Sequence, residues 1–196
     1  MTGQDIIDRL LLRLQDLGDL TAAHKLDYVN EANDYIYSVA SDLDPDRYTS
    51  SQSYTPSASP VTSTLPTDLL SFKSTNQGFF TVSGDNYYPL REIDRGSLLR
   101  GFTLEGDNVI LKALSGETVE LKYTPETTRL TIISDNVFLA DKWIMLYVHY
   151  IEASYSGSEL GSGGFDESAA GQRFVNELSV FKNKFRRTNK IIKISV

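Results

Sequence analysis

No cysteine occurs among the 196 residues, which excludes disulfides, thiolate metal sites and a cysteine nucleophile, and fits a reducing cytoplasm. Histidine is nearly as scarce. His24 and His149 lie far apart in sequence and have no HExxH-like partner, so the expectation is a helix-surface His24 and a packed His149, not a metal site or a general base. No apolar run approaches the ~18 residues that a membrane helix requires. The opening MTGQDIIDRL has neither the basic start nor the cleavage site of a signal peptide, so a soluble chain without a membrane partner is expected.

Positive charge is also in deficit. With 19 Lys and Arg against 26 Asp and Glu, the formal net charge is -7, and wrapping nucleic acid would demand basic surface instead. Any basic function must therefore be local. One place qualifies: no acidic residue follows Glu177, and the chain closes on FKNKFRRTNKIIKISV. A free terminus is ordinarily polar and loose, yet Ile191, Ile192, Ile194 and Val196 are apolar and β-branched.

Periodicity divides the chain into helix, β and helix again. Thr2 can cap a helix to about Leu17, with Asp5 three residues on, a stripe of Ile6, Ile7, Leu10, Leu14 and Leu17, and Gly18 as the stop. Thr21 caps a second helix whose inner face carries Leu26, Val29, Ile36, Ala40 and Leu43, and Asp44 before Pro45 ends it. Short β-rich runs follow. Turns at Ser83 to Asn86 and Glu105 to Asn108 predict two hairpins, ETVELKYT alternates as a half-buried strand, Asp94 to Leu99 reads as one helical turn, and RLTII as a last strand. FLADKWIMLYVHYIEASY is apolar nearly all round and predicts a central buried helix. GSELGSGG reads as a loop, and Phe165 and Asp166 open a final helix with Phe174, Leu178, Phe181 and Phe185 on one face.

The fold class expected is α+β: a helical bundle built from both ends of the chain, an inserted antiparallel β subdomain, and an extended C-terminal arm. The expected divisions are 1–48 and 137–187 for the bundle helices, 49–136 for the insertion and 188–196 for the arm. Trp143, Phe174, Leu178 and Phe181 should lie inside the bundle.

Catalytic chemistry finds little support. Asp42, Asp44 and Asp46 alternate like the start of a calcium loop, but Arg47 stands where the glycine is required and Ser53 where the bidentate Glu should be. GSELGSGGFDES lacks a Lys and puts Asp166 and Glu167 where a phosphate would sit. The carboxylates show no spacing that marks a catalytic pair. A chain without catalytic, cofactor-binding or metal-binding residues is expected.

What remains distinctive is the order of three phrases: YVNEANDYIYSVASDL on the second helix, then LPTDLLSFKS, then YYPLREIDRGSLLRGF in the β region. In that order the chain resembles the head–tail connector adaptors of tailed bacteriophages, the group that includes the podophage tail tubular protein A. The resemblance implies a structural virion protein, not an enzyme, assembled in the host cytoplasm as a ring, usually of twelve copies. That ring would sit under the portal protein, contact tail nozzle or tail tube proteins, and let DNA pass through its lumen without specific binding. It also implies a C-terminal extension reaching the portal, which assigns portal contacts to Arg186, Arg187, Lys190, Ile191, Ile192, Lys193, Ile194 and Val196. Strand addition suits such a β-branched tail. The rival readings are a nucleic-acid-binding module using KNKFRRTNKIIK as a basic arm, a carbohydrate-binding or enzymatic tail component suggested by the aromatics of YYPL and SYTP, and a plain solvated helix end stabilised by its dipole.

Overall fold

The computed structural model describes residues 1–14, 18–72, 76–160 and 168–192, with side chains described outside 157–160 and 185–192. The fold is α+β. It comprises two compact units: Met1–Asp44 together with Thr127–Val196, and Pro45–Glu126 between them. The insertion thus begins and ends earlier than the 49–136 read from the sequence.

The first unit is helical. Helix α1, Gly3–Leu11, starts in a capping box: the Thr2 hydroxyl accepts from the Asp5 amide at 3.2 Å, and the Asp5 carboxylate accepts from the Thr2 amide at 2.7 Å. That backbone bond, followed by the one from the Thr2 side chain, holds the Asp5 carboxyl below its ordinary range. Ile6, Ile7 and Leu10 are buried. The helix is shorter than expected, because the amides of Arg13 and Leu14 both turn back to the Leu10 carbonyl; Leu17 lies outside the described residues. Helix α2, Ala22–Leu43, begins at the expected Thr21, whose hydroxyl accepts from the His24 amide, and ends at Asp44.

Two asparagines of α2 are buried, and the first of them, together with Asp135, explains why RLTII is not a strand. Asn30 is bonded to both backbone groups of Leu130. The Asp135 carboxylate accepts from the amides of Thr131 and Ile132 at 2.9 and 3.1 Å. Amides already taken by side chains are lost to a ladder, so the segment is a loop. Asn33 completes the attachment, donating to the Thr127 hydroxyl and accepting from the Tyr147 hydroxyl at 3.0 Å and from the Phe138 amide.

After a short 3-10 turn at Asp141–Trp143, helix α3, Ile144–Leu160, runs as the central helix with Leu146, Tyr147, Val148 and Ile151 fully buried. It takes in residues 157–160, expected to be loop. Helix α4, Ala169–Ile192, is opened by the Ser168 hydroxyl, which accepts from the Gly171 amide at 2.8 Å. Phe165 and Asp166, the expected staple and cap, lie outside the described residues. Small Ala170 and Gly171 are buried, as the close approach of another helix requires. Trp143, Phe174, Leu178 and Phe181 are all buried, in agreement with the predicted face.

The second unit is built from β1 (Ser50–Tyr54), β2 (Val61–Thr64), β3 (Leu69–Ser71), β4 (Gly78–Ser83), β5 (Asn86–Pro89), β6 (Gly101–Glu105), β7 (Asn108–Lys112) and β8 (Thr118–Pro125). One sheet runs β1-β8-β4-β5, with β3 also paired to β8; the other runs β2-β7-β6, and the pairings are antiparallel. Both expected hairpins form, turning at Gly84 and Gly106 with φ of 59° and 57°, a left-handed backbone that favours glycine. Strand β8 alternates as predicted, burying Val119, Leu121 and Tyr123. Its partners in the core include Tyr54, Phe79, Phe102, Val109 and Leu111, drawn from both sheets, with the Phe79 and Phe102 rings 4.4 Å apart. Lys122 faces the other way, its ammonium 3.4 Å from the centre of the Tyr87 ring.

Candidate assembly surfaces

Three features offer themselves for contact with other molecules or for control of such contact: the basic end of α4, a charged cluster within the bundle, and a leucine-tipped loop of the β unit. The first begins beyond the described hydrophobic face of α4; the side chain of Phe185, expected on that face, lies outside the described ones. Phe181 packs edge-to-face on Trp143 at 4.9 Å, and the ammonium groups of Lys142 and Lys184 stand 5.8 and 5.5 Å from the same indole ring. Phe181 is the last buried residue of α4 among the described ones, with Lys182, Asn183 and Lys184 leading outward.

Beyond that point α4 continues through Arg186, Arg187, Lys190, Ile191 and Ile192, so five of the residues expected to contact a portal lie on the last turns of one helix. The extended arm expected from Thr188 is helical as far as Ile192. No glycine or proline interrupts the segment, each added residue gains a backbone bond once a helix is nucleated, and cations near a helix C-terminus are favourable; together these outweigh the weak β preference of isoleucine. Lys193, Ile194 and Val196 lie outside the described residues.

The charged cluster was not read from the sequence. Glu152 on α3 is only 7% exposed, and it draws in two arginines: Arg173 of α4, 2.8 Å from Oε1, and Arg13 beyond the end of α1, 3.3 Å from Oε2. His149, one turn earlier on α3, places Nε2 3.3 Å from the Arg13 guanidinium, while its buried Nδ1 has no hydrogen-bond partner. Burial first, and then the charge of Arg13, push the His149 pKa below its ordinary value, against the pull of Glu152. The expected packing of His149 is therefore half right: the ring is partly buried, but against charge. A histidine and a glutamate at i and i+3 in an otherwise apolar helix were the available signal.

In the β unit, Asp94 to Leu99 is a loop with a tight turn, the Ser97 amide bonding the Asp94 carbonyl at 2.9 Å, and not a helical turn. Leu98 and Leu99 are 96% and 70% exposed. Asp44 and Asp46 serve as helix end and turn, as the sequence suggested. Among the described residues, no group of three metal-binding side chains is placed to hold an ion, and no helix is long and apolar enough to cross a membrane.

The chain matches the family model described as SU10 adaptor protein over residues 1–190. It has no match among curated proteins. A match spanning both halves of the bundle and the whole inserted β unit identifies the architecture as that of a bacteriophage structural protein, and the chain belongs to the SU10 adaptor family of phage head–tail adaptors.

Proposed function

We propose that this adaptor closes into a ring beneath the portal, joins the capsid to tail components and surrounds the DNA channel, with the basic end of α4 and the residues after it as the portal-docking segment. The observation that carries the reading is the course of α4. Among the described side chains Phe181 is the last buried one of α4, and the helix continues through Ile192, concentrating Lys182, Lys184, Arg186, Arg187 and Lys190 with no acidic residue among them. A basic helix end suits an acidic partner surface, and the isoleucines at 191, 192 and 194 supply the apolar contact that charge alone does not. An acidic subunit, net -7, also suits a lumen through which DNA must slide, since counterion release would hold phosphates on a basic ring.

Removing residues 188–196 tests this reading. The truncated chain should keep its bundle, because the described core contacts of α4 end at Phe181, but should no longer co-sediment with portal rings. Ile192→Asp with Ile194→Asp should reproduce the loss, whereas Lys190→Gln with Lys193→Gln should slow attachment and reduce its salt sensitivity. Normal portal binding by the truncated chain would sink the proposal. The same basic end supports a second reading, nucleic-acid binding; salt-dependent retention of DNA by the isolated chain, abolished by the truncation, would favour it.

A further inference from the structure

Arg13 carries the turn that follows α1 across to α3. The turn itself is lightly held: the amides of Arg13 and Leu14 donate to the Leu10 carbonyl at 2.8 and 2.9 Å, but Leu12 is 78% exposed and Leu14 only half-buried. The Arg13 guanidinium places Nη1 3.3 Å from His149 Nε2 and Nη2 3.3 Å from Glu152 Oε2. A guanidinium can only donate, so Nε2 is the acceptor and the ring proton sits on Nδ1, buried without a hydrogen-bond partner among the described residues. Glu152 Oε2 likewise accepts no hydrogen bond there, because Arg13 meets it at ion-pair distance but outside bonding geometry. Arg173 of α4, by contrast, donates to Oε1 at 2.8 Å. The cluster thus has one firm joint, between α3 and α4, and one weak joint, between α3 and the end of α1.

The weak joint requires a neutral imidazole. Protonation turns Nε2 into a donor, so that His149 and Arg13 face each other as two cations with no lone pair between them. Four charged groups act on the ring: Arg13 beyond α1, Glu152 on α3, and Arg173 and Glu177 on α4. Two arginines against two carboxylates balance, and a histidinium adds an uncompensated charge in a partly buried place. Departure of Arg13 relieves it at least cost. Arg173 keeps the better bond to Glu152, which also gains the histidinium one turn earlier on its own helix, whereas Arg13 stands on a turn that can move.

We propose that Arg13 is a latch fastening the turn after α1 to α3, and that protonation of His149 releases it, freeing Leu12 to Leu14 while the start of α1 stays in place. That start is pinned separately: the amides of Gly3 and Gln4 donate to the carbonyls of Asp135 and Ile133 at 3.1 and 2.7 Å. Burial and the charge of Arg13 hold the pKa of the latched ring below its ordinary value. Opening returns it toward that value, so the open form takes up the proton more readily and opening becomes easier as pH falls below about 6.5.

Residue-resolved hydrogen exchange of the full-length chain, from neutral to mildly acid buffer, tests the latch. Protection factors, which remove the intrinsic pH dependence of exchange, should fall at Arg13 and Leu14 by up to about tenfold per pH unit below about 6.5, while Gly3 and Gln4 keep theirs. His149→Gln, with a side chain that stays neutral, should hold the Arg13 and Leu14 values level. Arg13→Gln should give the low protection at Leu14 at every pH, an outcome that does not depend on the histidine variant folding. A fall of equal size at Gly3 and Gln4 would mean a general loosening of the bundle, and a fall that survives in His149→Gln would place the proton on another group. Either result, or full protection of Leu14 in Arg13→Gln, would overturn the proposal.

Discussion

The side chain of Asn30 is hydrogen-bonded to the backbone of Leu130 at two points: Oδ1 accepts from the amide at 2.8 Å, and Nδ2 donates to the carbonyl at 3.1 Å. One helix residue thus does for the returning chain what a neighbouring strand would otherwise do. Asn30→Ala strands both backbone groups in a buried setting, at about 1–3 kcal/mol for each group left unsatisfied. The expected result is a lower urea midpoint of the bundle, read by fluorescence of Trp143, the sole tryptophan. An unchanged midpoint would show that water replaces the asparagine.

The bundle should lose stability as pH falls through the ordinary histidine range. His149 has a folded pKa below its unfolded value, so below about 6.5 the unfolded chain binds the proton more readily than the folded one. Stability then declines with falling pH until the depressed folded value is reached. His149→Gln should flatten the profile in that window, as followed by melting temperature from neutral to mildly acid buffers. An unaltered slope would mean that other groups control it.

Leu178 and Phe181 lie on the buried face of α4, next to Trp143 in the case of Phe181. Leu178→Ala should cost about 2–5 kcal/mol, measured by denaturant unfolding, whereas Val180→Ala on the exposed side should change stability by about 0.5 kcal/mol or less. Equal effects at the two positions would contradict the assigned face.

Gly101→Ala should destabilise the β unit by about 1–3 kcal/mol, because its Cβ meets the Arg91 carbonyl and the Ile93 side chain. Hydrogen exchange should quicken at Ile93 and Phe102, whose amides close the base of the leucine loop. Exchange that stays as slow as in the parent chain would show that the loop is held from elsewhere.

Elements whose residues follow one local rule were legible in the sequence. The capping box of Thr2, the cap at Thr21, the glycine turns of both hairpins and the alternation in β8 each depend on neighbours a few positions apart. What escaped depended on partners that no periodicity or turn rule marks. RLTII has strand composition, but its amides are claimed by Asn30, a hundred residues earlier, and by Asp135. The Glu152 cluster assembles from three separate helical regions, and nothing in spacing brings Arg13 to Arg173. At the basic tail the isoleucines suggested extension, whereas α4 continues through Ile192. The leucine pair was visible as letters, but its exposure became known only with the fold.

The β unit's first and last strands are register neighbours, with Ser50 opposite Tyr123. The chain therefore departs from the bundle and rejoins it through strands held about 5 Å apart, whatever lies between. Closing such an excursion becomes only slowly more difficult as it lengthens. A change of length between β1 and β8 therefore leaves the bundle's own connections untouched. The paired strands act as a clasp: whatever they enclose, its two ends return to the bundle side by side.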